Sequence, residues 1–187
     1  MKKYVPMIAF FVVIIIAVCA VYGVNSYRKN TYKRDYSEFV EKYSSEYSVP
    51  ESLVYAVIKT ESGFNKDAVS PAGNIGLMQL GEDTYTWISR VMGEEAPTGP
   101  IDDPETNIKY GTYYLHNLYK RFGDWDTALA GYNAGHGRVA SWLDDKLYST
   151  DGKTLTYIPF DETRNYVNKV NRAKEIYEKL YYEGEQQ

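Results

Sequence analysis

From Tyr36 to the C-terminus almost every segment repeats its apolar residues at helical spacing, and most repeats end at a residue that helices use as a stop. Tyr36 to Tyr47 is a first amphipathic segment, closed by Val49-Pro50. Glu51 to Glu61 follows, with Leu53, Val54, Val57 and Ile58 on one stripe. Glu82 to Met92 reads as a short third helix. Asp103-Pro104 opens a longer one, with the aspartate as cap and the proline in the first turn. Its stripe runs Ile108, Gly111, Leu115, Leu118 and Phe122, and Gly123 stops it. Asp124 caps another short helix that ends near Tyr132. Asp161 opens the last, with Tyr166, Val170, Ala173, Tyr177 and Leu180 on one face. Strand signals are confined to the Tyr- and Thr-rich stretch from Leu147 to Phe160, where a small hairpin is expected around Asp151-Gly152. The fold class is mainly α.

Ahead of this globule, Met7 to Val24 is an uncharged run of 18 residues behind Lys2 and Lys3. That length just reaches a transmembrane helix. A cleaved signal peptide is the competing reading, although its apolar region is usually shorter. The expected division is therefore residues 1–24 as cytoplasmic tip and anchor, 25–35 as a polar tether, and 36–187 as the functional domain. Arg28, Lys29, Lys33 and Arg34 outnumber the two lysines before the run, which by the positive-inside rule favours a cytoplasmic domain. Large domains translocate despite such charge, and the preference for an extracytoplasmic domain comes from the chemistry below. The basic cluster beside the run suits anionic head groups.

Composition excludes several functions. Cys19 is the only cysteine and His116 and His136 are the only histidines. No internal disulfide and no Cys-based metal site can form, and neither a metal nor a cofactor is expected. Residues 1–34 hold six Lys or Arg and no acid, which leaves 15 basic and 25 acidic residues in 35–187, a net charge of −10. Such a surface argues against nucleic acid as a partner. The 20 tyrosines fit an aromatic core, and they also fit surfaces that stack on sugar rings.

Glu61 is the candidate acid. It follows Val57 by four residues and Ile58 by three, so its side chain falls on the apolar face of its helix. It also lies in the last turn, since Gly63 ends the helix. Partial burial and the negative end of the helix dipole both disfavour its charge and raise its pKa. Such a carboxyl holds a proton near neutral pH and donates it to a leaving oxygen. By itself the position also fits a glutamate that reaches solvent past the helix end.

Three later blocks shift that balance: Gly76-Leu77-Met78-Gln79 after a loop of small residues, Tyr132-Asn133-Ala134-Gly135 at a helix end, and Glu162-Thr163-Arg164-Asn165-Tyr166-Val167. With the pair Glu61-Ser62, their order and spacing resemble the lytic transglycosylase domain, a lysozyme-like fold related to goose-type lysozyme. The resemblance covers about Tyr47 to Tyr181. It implies Glu61 as the single catalytic acid/base, positioned by Ser62, and Tyr166 as a hydroxyl donor beside it. It also implies that Met78 packs against sugar, that Gln79 hydrogen-bonds it, and that Tyr132 and Asn133 line the cleft. Gly131 stands where the family usually has Ala, and Gly81-Glu82 where it often has Met-Pro.

Ordinary glycosidases need two carboxylates, and no second acid occupies an equivalent slot here. Asp67 and Asp83 sit at loop and capping positions. A one-carboxylate site takes its nucleophile from the substrate. In peptidoglycan the acetamido oxygen of N-acetylmuramic acid serves, and its C6 hydroxyl closes a 1,6-anhydro ring. The expected activity is peptidoglycan cleavage at the MurNAc–GlcNAc β-1,4 bond by a membrane-tethered lytic transglycosylase, with the glycan strand and the membrane as partners. By analogy an envelope-spanning apparatus joins them. The alternatives are a muramidase that hydrolyses the same bond and a non-catalytic wall-binding module.

Overall fold

The computed structural model describes residues 5–183, with side chains from residue 13 onward. The chain divides into two compact units, Met1–Lys33 and Arg34–Gln187. The first is one helix, α1 (Val5–Thr31). It does not stop at Val24 but runs on to Thr31, into the segment expected as a tether. Near its end the Thr31 hydroxyl donates to the Tyr27 carbonyl at 3.0 Å. Ile15, Ile16, Val21 and Val24 are all exposed on it. Among the described residues no helix is long and apolar enough to cross a membrane. Residues 7–12 of the expected span lie outside the described side chains.

The second unit carries α2 (Ser37–Tyr47), α3 (Glu51–Glu61), α4 (Glu82–Val91), α5 (Pro104–Phe122), α6 (Trp125–Ala134), α7 (His136–Leu143) and α8 (Asp161–Tyr177), with a closing π-helical turn at Glu178–Tyr182. α3 is central. Every residue from Ser52 to Ile58 is buried, so the helix is covered all round and not along one stripe. It packs chiefly on α8, while α5 packs on α2 and α6, and α6 also meets α7 and α8.

The caps explain where the helices begin. The Asp103 carboxylate accepts from Thr106 N at 2.9 Å, with Pro104 at the first helical position. Asp124 does the same for Thr127 N at 2.8 Å. Gly123 takes φ +71° and ends α5. α7 has no counterpart in the sequence reading. Its eight residues bury Val139, Trp142 and Leu143, and it starts one residue after α6, across Gly135 at φ +89°.

The expected hairpin does not form. The Asp151 carboxylate accepts from Lys153 N and Thr154 N, both at 2.8 Å, and from the Thr154 hydroxyl. These bonds coil the segment into a turn, and the only backbone pairing across it is Thr156 N and Tyr157 N donating to Tyr148 O. The described residues hold no strand, only the isolated bridges Val69–Ile75 and Ile75–Leu80.

Arg34 is not the head-group cation its basic neighbours suggested. It pairs with Glu41 at 3.1 Å and Glu51 at 3.3 Å, and its guanidinium lies over the rings of Tyr55, Tyr181 and Tyr182.

Candidate active site

Glu61 is the last residue of α3, where the buried helix emerges from the core. Burial pushes its carboxyl up to about 7, against an opposing pull from the Tyr166 hydroxyl. Ser62 fixes the helix end to the next loop. Its hydroxyl donates to Leu77 O at 2.8 Å and also approaches Ile58 O at 3.2 Å, while accepting from Phe64 N. Those bonds occupy the Ser62 hydroxyl with backbone, so Ser62 holds the carboxylate's support and does not itself face a ligand. Gly63 and Phe64 then take φ +59° and +71°, which turns the chain away sharply.

The Gly76–Gln79 loop is held by a residue that sequence reasoning missed. Asn107 on α5 is fully buried. Its Oδ1 accepts from Met78 N at 2.7 Å, and its Nδ2 donates to Ile75 O and Ile101 O at 3.0 and 2.8 Å. All three of its strong bonds go to backbone, as a buried amide requires. The same contact makes Gly76 obligatory: φ is +83°, and a Cβ there would fall 2.5 Å from Asn107 Nδ2.

Met78 does not lie on the groove surface. Its side chain is 0 % exposed and fills the space above Gly111, where a Cβ would come within 2.4 Å of its sulfur. The expectation that it packs against sugar is therefore corrected: Met78 supports the wall from behind. Gln79 stands at φ +51°, and its Nε2 donates to Gly76 O at 2.8 Å and Ala68 O at 3.0 Å. Both amide hydrogens serve the loop, so Oε1 is the group it offers outward.

Tyr132 and Asn133, at the end of α6, close the other side. The Tyr132 hydroxyl donates to Met78 O at 2.8 Å, which ties α6 to the loop. Burial, with the Glu61 charge second, raises its pKa well above the usual phenol value. Asn133 is exposed, and its Oδ1 accepts from the buried Thr163 hydroxyl at 2.8 Å. Gly131 sits where a Cβ would meet Phe122 at 3.0 Å and Leu118 at 3.1 Å. Larger neighbours occupy the place of the missing methyl.

Tyr166 reaches the same spot from α8. It is 7 % exposed, and its hydroxyl makes no hydrogen bond of ordinary geometry in the protein. Burial drives its pKa well up, and the charges of Glu61 and Tyr132 push it the same way. A buried, unpartnered hydroxyl beside a carboxyl that is half-protonated near neutrality is costly to folding alone. Among the described residues no group of three His, Cys, Asp or Glu side chains is placed to hold a metal ion.

The known proteins that this arrangement resembles agree with one another. The sequence profile of the Transglycosylase SLT domain matches residues 38–154. The soluble lytic murein transglycosylase of Escherichia coli (strain K12) is 39% identical over 140 residues, which span 72% of this chain and 22% of that protein. The membrane-bound lytic murein transglycosylase C of Haemophilus influenzae (strain PittEE) is 30% identical over 166 residues, covering 75% of this chain and 46% of that protein. The crystal structure of the 70 kDa soluble lytic transglycosylase of E. coli superposes with a TM-score of 0.71 at 32% identity, over 83% of this chain and 26% of that one. The chain thus spans less than half the length of these relatives.

Proposed function

This chain belongs to the transglycosylase SLT domain family, and we propose that it cleaves peptidoglycan glycan strands with Glu61 as its single acid/base. The family fold is mainly helical and lysozyme-like, and the observation that carries the proposal is the Glu61 carboxyl, pushed up to about 7 beside the unpartnered Tyr166 hydroxyl. A group with that pKa is poised to give and to take a proton at neutral pH.

In the first step protonated Glu61 donates to the glycosidic oxygen at the MurNAc–GlcNAc bond. The C1–O bond breaks as the acetamido oxygen of the muramyl residue attacks C1, and the oxazolinium so formed holds the positive charge. In the second step the C6 hydroxyl attacks C1 and expels the acetamido oxygen, and Glu61 recovers the proton. The product is a 1,6-anhydromuramyl end, and no water is consumed. The Tyr166 hydroxyl donates to the reacting region from the α8 side. Gln79 Oε1 and the Asn133 amide nitrogen offer polar contacts to the strand, and the Tyr132 bond to Met78 O supports the wall between them.

The reading extends to location. α1 supplies an apolar segment, and a relative in Haemophilus is a membrane-bound enzyme, which supports a single-pass anchor with the domain outside the cytoplasm. A role in opening the wall for an envelope-spanning apparatus rests on analogy with small tethered enzymes.

The test is mass analysis of the muropeptides that the full-length chain releases from purified sacculi. Products should end in 1,6-anhydromuramic acid, lighter by one water than the reducing ends left by hydrolysis. Reducing ends alone would make the enzyme a muramidase, and intact sacculi would remove the activity altogether.

A further inference from the structure

The Asn133 amide has a donor end and an acceptor end, and the fold has committed one of them. Asn133 is exposed in the last turn of α6. An amide standing free there rotates about its terminal torsion and offers oxygen or nitrogen with little preference. Here Oδ1 accepts from the Thr163 hydroxyl at 2.8 Å. The oxygen is thereby turned to α8, and the two N–H groups of Nδ2 are left for a ligand. Gln79 is committed the other way: its Nε2 serves Gly76 O and Ala68 O, and Oε1 is what remains.

Thr163 is built to hold that choice. It is 2 % exposed and lies in the first turn of α8, and branching at Cβ limits its χ1. Arg164 pins the same turn by donating to Ile158 O at 2.7 Å and pairing with Asp161. Burial supplies the preference between the two amide orientations. With Oδ1 toward α8, the Thr163 hydrogen has its acceptor. With Nδ2 in that place the hydroxyl oxygen would accept, and its own hydrogen would be left unpaired where water does not reach. A hydroxyl on the surface would impose no such preference, because water would take the stray hydrogen. Tyr166 follows Thr163 by three residues, so the two hydroxyls leave one face of α8, one toward Glu61 and one toward Asn133.

We propose that Thr163 is a positioning residue of the cleavage site: its buried hydroxyl holds the Asn133 amide with Nδ2 outward, which makes Asn133 a hydrogen-bond donor to an oxygen of the bound strand. The inference rests on the glycan-cleaving reading above, and it adds a residue that acts on the strand through Asn133 alone. If Thr163 served packing only, its loss would cost the same activity with or without the Asn133 side chain.

A double-mutant cycle in the full-length protein tests this, read as kcat/KM for muropeptide release from soluble, uncrosslinked glycan strands. Thr163→Val keeps the shape and loses the hydroxyl, and it should lower kcat/KM about tenfold, equivalent to about 1.4 kcal/mol. Thr163→Ser keeps the hydroxyl and should stay within about threefold of the wild type. In the Asn133→Ala chain, itself slowed about tenfold or more, Thr163→Val should change kcat/KM by no more than about twofold, since its effect passes through the missing amide. Asn133→Asp keeps an acceptor for Thr163 but has no N–H to offer, so it should be as slow as Asn133→Ala. Should melting curves show that Thr163→Val does not fold, Thr163→Ala, which only deletes atoms, carries the same cycle. Equal losses with and without the Asn133 side chain, a wild-type rate in Thr163→Val, or a wild-type rate in Asn133→Asp would overturn the proposal. Failure of the cleavage reading shows separately, as strands left intact by the unmutated chain.

Discussion

Glu61 and Tyr166 set opposite demands on one another, and pH separates them. The Glu61 pKa is raised from 4.5 to about 7, so between those values the folded state binds a proton that the unfolded state has released. The stability tied to this group is therefore present in acid and lost as pH rises from about 4.5 to 7, at most roughly 3 kcal/mol at 1.36 kcal/mol per unit. Glu61→Gln should abolish that slope and melt higher than the wild type at pH 8, while cleavage falls at least a thousandfold. Denaturant midpoints at pH 5 and pH 8 check the first claim, and an unchanged slope would contradict it. The wild-type kcat/KM should fall above about pH 7 as the acid form is lost. Tyr166→Phe removes a buried hydroxyl that acts on the Glu61 carboxyl without a bond of ordinary geometry, so stability should change by no more than about 1 kcal/mol. It also removes the group that lowers the Glu61 pKa, so the alkaline limb of the rate profile should move upward while kcat falls about a hundredfold. A rate profile that stays in place would return Tyr166 to the aromatic core.

At the scale of elements, the site depends on how α5 and α6 grip one loop. Asn107 pairs three backbone groups of that loop and its neighbour, and it is inaccessible to water. Asn107→Ala would leave Met78 N and Ile101 O without partners and Ile75 O with Leu80 N alone, at a cost of about 3 kcal/mol from unpaired groups of 1–3 kcal/mol each. Activity per folded molecule should drop as well, because the loop carries Gln79. Val40→Ala on α2 truncates the core far along the chain from that loop and should destabilise without that loss. Equal specific activities in the two variants would show that Asn107 only stabilises. The sequence marked this loop but not its anchor. Asp103 and Asp124 announce themselves, because a cap sits beside the helix it starts. Asn107 satisfies residues 29 and 32 positions away, and no local pattern carries that. Met78 failed for the same reason. Its motif placed it on the right loop, yet the direction of its side chain is set by Gly111 on another helix. α7 was missed although Val139, Trp142 and Leu143 have helical spacing, because two glycines at its start resemble a loop. The hairpin was the reverse error, a Tyr- and Thr-rich run whose backbone is claimed by the Asp151 side chain instead of a partner strand.

For the molecule as a whole, the apolar segment at the N-terminus bears on where the proposed activity would act. Val13, Ile15, Ile16 and Val21 are each 60 % or more exposed on α1, and the helix has no polar face in that stretch. A helix that is apolar all round is stable when protein or lipid covers it. At about 25 cal/mol per Å², leaving such a surface in water forfeits several kcal/mol, which a membrane would recover. Residues 35–187 carry a net charge of −10, so the domain itself is not drawn to anionic head groups. If α1 anchors the chain, the full-length protein should sediment with membranes, resist extraction by 1 M salt and alkaline carbonate, and dissolve in mild detergent. Salt alone releases a protein held only by Arg28, Lys29 and Lys33, since exposed charges are screened within about 3 Å at that ionic strength. Protease added outside spheroplasts should then digest the domain, because the glycan strands lie on that side. Release by salt would replace the anchor with electrostatic attachment. Protection from protease would put the domain in the cytoplasm, as the charge balance around the run suggests, and would separate it from its proposed substrate.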